Sequence, residues 1–117
     1  MLTLFEKLLL SHLVGDWLLQ PHWMAIRKTG EWKVRAIHCA IVTSCFWWVG
    51  IWWCLWIYAT HFIIDTYKPL YWFRKLRGDF KSWEEFKESF STPAGFMVNV
   101  VFDQIFHILM LLPIILS

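Results

Sequence analysis

The sequence has few of the residues that stabilise small soluble or disulfide-linked domains. Only 17% of its 117 residues are charged. The three cysteines, Cys39, Cys45 and Cys54, are odd in number, form no Cys-x-x-Cys pair and lie in apolar segments. This pattern excludes a disulfide framework and a zinc ribbon, and only Cys39, beside His38, is a minor candidate ligand. The N-terminus lacks the basic residues and the small-residue cleavage site of a secretory signal, so we expect its apolar run to be retained.

Apolar residues dominate the chain instead. Hydrophobic residues make up 58% of it and aromatic residues 20%, and the mean hydropathy is +0.46. Soluble domains average about 45–50% apolar residues. The composition therefore indicates a membrane protein, and we expect a single membrane domain over residues 1–117.

The apolar stretches predict an all-α fold, a four-helix transmembrane bundle. The expected helices cover about residues 3–19, 36–49, 51–66 and 96–116. Gln20-Pro21 ends the first helix, Gly50 allows a tight hairpin turn, and Thr92-Pro93 supplies a cap and a first helical residue. The second and third helices reach only roughly 21 and 24 Å, so we expect local bilayer thinning or incomplete crossing.

All the basic residues except Lys7 lie in two connections. The first has four basic residues and one acid, namely Arg27, Lys28, Lys33, Arg35 and Glu31. The second contains an amphipathic segment at about residues 70–90, between the third and fourth helices, which we expect to lie on the membrane surface. Because Lys and Arg are retained on the cytoplasmic side, both connections are predicted to be cytoplasmic and both termini outside.

Seven ionisable side chains interrupt the apolar helices, and six of them are paired four residues apart. The pairs are His12 with Asp16, His61 with Asp65, and Asp103 with His107, while His38 is alone. Residues four apart share a helix face. At 1.5 Å per residue, all seven lie within roughly 3–16 Å of the cytoplasmic helix ends. Each aspartate in hydrocarbon costs roughly 2.5–3.5 kcal/mol, so three together require compensating partners.

These seven residues predict a metal site. Four imidazoles and three carboxylates are enough ligands for one or two divalent cations, zinc or another transition metal, as in soluble bundles with dimetal centres. Two such ions and one hydroxide would leave the cluster neutral, which a low-dielectric interior favours. Gln20, Asn99 and Gln104 are expected to orient the ligands, and His22 is expected to be interfacial. Taken singly, each His/Asp pair could instead be a hydrogen-bonded packing pair.

The order and spacing of these motifs resemble the small four-helix membrane family catalogued as domain of unknown function 3307. The motifs are His12-Leu-Val-Gly-Asp16, Leu19-Gln20-Pro21, Trp23-Met24-Ala25, His38, His61-Phe-Ile-Ile-Asp65 with Lys68-Pro69, and Asp103-Gln104 with His107. The resemblance covers nearly the whole chain and implies an integral membrane protein of a bacterium, archaeon or phage, placed in the inner membrane. A looser similarity, in the glycine before Asp16 and the His/Asp pattern, is to small inner-membrane metal-dependent hydrolases.

Two functions of different classes are consistent with the sequence. The first is an intramembrane metal-dependent hydrolase that acts on a lipid or lipid-linked headgroup from the cytoplasmic side, with metal-activated hydroxide as the nucleophile. No separate general base is evident, so Asp16, Asp65 or Asp103 would also take part in catalysis. Anionic headgroups would be attracted by basic residues, namely Arg27, Lys28, Lys33, Arg35, Arg74, Lys75 and Arg77.

The second function is that of a non-enzymatic membrane protein. Its His/Asp cluster would hold a structural metal or carry ions or protons, alone or in a homo-oligomer. A structural site has ligands on all sides of the metal, whereas a hydrolase keeps an open position. The expected partners are membrane lipids, and no nucleic-acid partner is expected.

Overall fold

The computed structural model describes all 117 residues and contains helices and turns without strands, so the all-α prediction is confirmed. The α-helices are α1 Leu4–Leu13, α2 His22–Arg27, α3 Trp32–Ser44, α4 Ile51–Ile64, α5 Lys68–Leu76, α6 Trp83–Glu88, α7 Pro93–Leu109 and α8 Leu112–Leu116. A π-helical turn, Val14–Leu18, continues α1, and short 3-10 turns cover Trp47–Val49 and Ser89–Ser91.

One helical stretch is long and apolar enough to cross a membrane. It is Pro93–Leu116, 24 residues, which comprises α7 and α8. The apolar helix α4 has only 14 residues, and α3 ends at Ser44 rather than near Val49. The predicted four-span bundle is therefore not confirmed, because the other apolar runs are divided into shorter helices.

Capping residues and glycines determine where several helices begin. The Thr3 hydroxyl accepts a hydrogen bond from the Glu6 amide at 3.1 Å, and α1 begins there. Thr92 caps α7 in the same way, with Pro93 in the first helical position, as the sequence predicts. Gly50 has a φ of +98°, which a side chain would disfavour, and makes the predicted turn before α4.

The expected amphipathic segment is two short helices, α5 and α6. They are separated near Gly78, whose φ is +89°. Leu70 and Tyr71 of α5 form an apolar cluster with Phe86 of α6, against which side chains of α7 pack. The segment is thus attached to the longest helix of the molecule.

A layer of apolar side chains lies one helical turn from the polar cluster on every stretch that contributes to it. This apolar layer contains Leu8, Val42, Phe46, Ile57, Leu111 and Ile114. Leu8 and Ile57 precede His12 and His61 by four residues, and Val42 and Leu111 follow His38 and His107 by four; Phe46 and Ile114 lie about one turn further along. Four residues correspond to one turn, so each helix presents one imidazole and one apolar side chain to the interior on the same face.

Gly15 allows the π-helical turn to lie directly against α3. A Cβ atom at this position would be 2.8 Å from Val42 Cα and 3.4 Å from Cys45 Sγ. In the same turn the Leu19 amide donates to the Val14 carbonyl at 2.9 Å, the five-residue step of a π-helix. The close approach and the wider turn together bring Asp16 to the side chains of α3.

We predict that Gly15→Ala destabilises the protein by about 1–3 kcal/mol, because the added methyl group would push the backbones of two helices apart. Gly30→Ala is the matched control, since nothing lies within 4 Å of a Cβ there. Thermal unfolding in detergent, followed by circular dichroism, measures both. Equal melting temperatures for the two variants would contradict the close helix contact.

Candidate metal centre

The structure brings all seven predicted ligands into one buried cluster. His12 comes from α1, Asp16 from the π-helical turn, His38 from α3, and His61 and Asp65 from α4 and its C-terminal cap. Asp103 and His107 come from α7. Every one of the seven is at most 4% exposed. Residues that are far apart in sequence therefore meet away from solvent, as the metal-site interpretation requires.

Four of the seven, Asp16, His38, His61 and Asp65, have the spacing of a tetrahedral metal site. The His38 Nε2 atom is 2.9 Å from Asp16 Oδ1, 3.2 Å from His61 Nε2 and 3.3 Å from Asp65 Oδ2. The His61 Nε2 atom is 3.5 Å from Asp16 Oδ1 and 3.1 Å from Asp65 Oδ2. Ligands about 2.0–2.1 Å from a tetrahedral metal are about 3.3–3.4 Å apart. These atoms therefore fit around one divalent transition-metal ion.

Asp65, Asp103 and His107 form a second group, whose potential ligand atoms lie within 4.8 Å of one another. The His107 Nδ1 atom is 2.7 Å from the Asp103 carbonyl oxygen, and its Nε2 atom is 3.2 Å from Asp65 Oδ1. An Nδ1–H donor bound to a carbonyl leaves Nε2 as a lone-pair ligand. The two oxygens of Asp65 thus face different groups, so this carboxylate can bridge two ions.

Hydrogen bonds account for only part of this arrangement. His38 Nε2 is within hydrogen-bond distance of Asp16 Oδ1 and of His61 Nε2. Both Asp65 oxygens, Asp103 Oδ1 and His107 Nε2, however, are buried without a hydrogen-bond partner, although other cluster atoms lie close to them. Buried polar atoms are almost always paired, and an unpaired one costs about 1–3 kcal/mol. A cation bound among these four atoms would supply the missing partner, so the cluster can hold metal.

Lys28 is also part of the cluster, which the sequence did not reveal. Its Nζ atom lies 3.4 Å from Asp16 Oδ1, 3.7 Å from Asp65 Oδ1 and 3.5 Å from His38 Nε2. Burial disfavours its charge, but Asp65, Asp16 and Asp103 outweigh that effect and raise the pKa of the ammonium group. Lys28 is therefore a buried cation beside the carboxylates rather than part of a surface ring of basic residues.

The position of Lys28 is set by Arg35. The Arg35 guanidinium donates to the backbone carbonyls of Lys28 and Thr29 at 3.2 and 2.8 Å. It also lies over the Phe62 ring, 4.4 Å from the ring centroid. These contacts tie the end of α2 to α3 and α4, so the lysine side chain is directed at the carboxylates.

Gln104 and His12 belong to neither ligand group but contact their members or each other. Gln104 contacts three cluster members, with Oε1 2.9 Å from His12 Nε2 and Nε2 donating to Asp16 and Asp103 at 3.3 and 3.4 Å. His12 is thus bound to Gln104 at the edge of the cluster and belongs to neither ligand group.

Asn99 and Gln20 form no hydrogen bonds with the ligands. The Asn99 carbonyl oxygen accepts from Arg74, and its amide donates to Ser89, both at 2.7 Å. This links α7 to the amphipathic segment, so the expected ligand-orienting contact with Asp103 is corrected to a structural one. Gln20 lines a cavity beside the cluster, and its Oε1 atom has no hydrogen-bond partner.

A cavity of about 320 Å³ opens beside the second ligand group. Its lining includes Asp16 and Asp103, together with Lys28, Gln104 and Tyr67. Asp65 does not line it. The cavity therefore reaches two of the three carboxylates and the buried ammonium, and it is within the size range of ligand pockets.

A family model described as Protein of unknown function (DUF3307) matches residues 4–117. The chain belongs to this family. No curated protein and no solved structure matches it. The resemblance found in the sequence is thus confirmed, and the motifs that carry it, around His12, His38, His61 and Asp103, supply the ligand cluster.

Two residues beside the site were missed in the sequence, Lys28 and Tyr67. Tyr67 has a left-handed backbone, with φ +60°, immediately before α5. Burial, together with Asp103 and Asp65, raises the pKa of its phenol. A bulky residue in this conformation is uncommon and marks a position that its surroundings constrain. Nothing in the local sequence distinguishes either residue from neighbouring lysines and tyrosines.

We predict that the purified protein binds about two transition-metal ions per chain and that Asp65→Asn loses both, because Asp65 belongs to each group. His61→Ala should lose one ion, and His22→Ala, outside the cluster, should bind as much as wild type. Elemental analysis after purification in detergent measures the content. Metal-free wild-type protein would contradict the site.

We also predict that Lys28→Met destabilises the metal-free protein by about 3 kcal/mol, because buried carboxylates lose their cation. Added Zn²⁺ should then raise the melting temperature more in this variant than in wild type, since a competing positive charge is gone. Lys33→Met, at an exposed position, controls for the loss of a lysine. If the two variants behave alike, Lys28 is not coupled to the cluster.

Proposed function

We propose that this chain is a membrane-embedded, metal-dependent hydrolase that acts on a lipid or lipid-linked headgroup from the cytoplasmic side. The main supporting observation is the second ligand group, in which only Asp65, Asp103 and His107 surround the candidate ion. Catalytic metal sites commonly have three protein ligands and one open position. Asp103 of this group lines the 320 Å³ cavity, where a substrate could approach.

The distribution of polar and apolar surface supports a lipid environment. Nine of the 23 buried residues are polar or charged, whereas many large apolar side chains are exposed. Trp47, Trp52 and Leu76 are 78%, 80% and 87% exposed. Extensive exposed apolar surface is unusual for a soluble monomer and is stabilised by contact with lipid. We therefore propose that more than the Pro93–Leu116 helix is in contact with the membrane.

The apolar layer argues against a through-pore for ions or protons. It places Leu8, Val42, Ile57 and Leu111 one turn beyond the imidazoles. The space that the imidazoles of His12, His61 and His107 share with this layer has a volume of only about 10 Å³. A pathway for ions would need polar groups that continue past the cluster. The polar cavity thus gives access from one end.

In the proposed reaction, the oxygen of water attacks the phosphorus atom of a headgroup phosphoester, the bond between phosphorus and the ester oxygen breaks, and the departing oxygen takes up the proton that the water has lost. A bound transition metal, for which zinc fits the ligand spacing, would supply the Lewis acid and activate the water. Asp103 and Asp16 line the cavity and can accept a proton there, whereas Asp65 is turned toward the ligands on both sides. Lys28 can bind an anionic oxygen of the headgroup.

The first ligand group favours a second candidate function, a structural metal site. Asp16, His38, His61 and Asp65 supply four ligand atoms, which is the closed set of a structural ion. A protein with a single ion at this position would be held together by metal without hydrolysing anything. The two candidate functions differ in whether lipid turnover depends on the three-ligand group, so a substitution in that group alone distinguishes them.

We predict that the protein in liposomes releases headgroups from an anionic phospholipid and that EDTA abolishes this activity, because both ligand groups need metal. Asp103→Asn should lower turnover at least about 100-fold while retaining one ion per chain. Asp79→Asn, on the amphipathic segment and exposed, is the matched control. Headgroup release and metal content are measured on the same samples.

If the wild-type protein is folded and binds metal but releases no headgroup from the lipid, the structural metal site is supported instead. Turnover that persists in Asp103→Asn at the wild-type rate would contradict the assignment of the three-ligand group to catalysis.

A further inference from the structure

A second cavity, larger and more apolar, lies next to the polar one. It has a volume of about 530 Å³, and we call it the apolar groove. Its walls come from α2, the residue before α5, α6 with the 3-10 turn that follows it, and the start of α7. They include Ile26, Tyr67, Trp83, Phe86, Phe90 and Phe96. Aromatic and aliphatic walls of this kind bind apolar ligands.

The apolar groove adjoins the cavity at the metal centre. Ala25, Tyr67 and Phe96 line both spaces. Tyr67 is the residue with the left-handed backbone, and its ring is held 5.4 Å from that of Phe90. The junction is thus formed by a constrained aromatic residue and by the smallest side chain on α2.

The two spaces differ in charge. The groove lining contains His22 and Lys87 but no carboxylate. The neighbouring cavity is lined by the Lys28 ammonium and by the Asp16 and Asp103 carboxylates, which belong to the two groups that could hold metal ions. With metal bound at those carboxylates, the apolar compartment would lead to cations and would be complementary to a molecule with an apolar chain at one end and an anionic group at the other.

We propose that the apolar groove binds the hydrocarbon chain of an anionic lipid and directs its headgroup through the junction at Ala25 to Lys28 and the metal centre. This inference deepens the proposed function, since it rests on the same site for the headgroup. Chain binding itself requires no turnover, so it can be tested separately from hydrolysis.

The test uses zinc-loaded protein in nanodiscs and hexadecyl phosphate that carries a diazirine at the far end of its chain. After illumination, mass spectrometry should locate the cross-links on groove residues such as Phe86 and Phe90. Unlabelled hexadecyl phosphate should compete, whereas hexadecanol and inorganic phosphate should compete at least about ten-fold less well, because each lacks one half of the ligand.

Ala25→Phe should reduce cross-linking in the groove at least about five-fold, because the larger ring fills the junction. Ala59→Phe is the matched control, since Ala59 is an exposed residue of α4 that lines neither space. A circular dichroism spectrum identical to wild type shows that each variant is folded.

Cross-links spread over the exposed face of α7, at Met97, Val101 and Ile105, and unaffected by Ala25→Phe, would overturn the proposal. So would equal competition by inorganic phosphate or by hexadecanol. If cross-links form in the groove but no hydrolysis is detected, the proposal of chain binding is supported and only the proposed hydrolase activity is rejected.

Discussion

Three buried carboxylates need positive charge, and the rest of the structure is arranged around that requirement. Asp16, Asp65 and Asp103 come from different helical stretches and lie within one interior where unpaired anions would be strongly destabilising. Imidazoles surround them, and the Lys28 ammonium is held beside two of them by the contacts of Arg35 with the end of α2. Metal ions at the two ligand groups would satisfy the same carboxylates more completely, because the lone pairs already converge.

Individual residues outside the cluster explain how the helices position the ligand side chains. Gly15 permits contact between the π-helical turn and α3, so that Asp16 reaches His38 at 2.9 Å. The Asn99 side chain links Arg74 and Ser89 to α7, and this holds the amphipathic segment against α7. The polar cavity and the apolar groove then lie side by side, sharing Tyr67. One small chain thus combines a charged interior with two adjoining compartments of opposite character.

The sequence predicted the helical fold and the membership of the cluster because both depend on spacing. His12 and Asp16, or His61 and Asp65, share a face in any helix, so the pairs could be read without knowing the packing. Lys28 could not be recognised, since it differs from Lys33 only in how the end of α2 folds back. Asn99 was misassigned for a related reason. It lies one turn from Asp103, but its strongest partner is Arg74, 25 residues away in the chain. The prediction of four spans assumed that the second helix continues to about Val49, whereas α3 ends at Ser44 and a short 3-10 turn follows.

The one-turn offset between the imidazoles and the apolar layer limits how the molecule can adjust. If α4 slid along its neighbours by a single turn, Ile57 or His61 would enter the wrong layer, and a charged centre would face hydrocarbon. Intermediate displacements would leave side chains from both layers opposing one another. The packed helices are therefore restricted to discrete registers, and in the proposed membrane location a bilayer of different thickness would be accommodated by tilting the whole assembly or deforming the lipid rather than by sliding single helices.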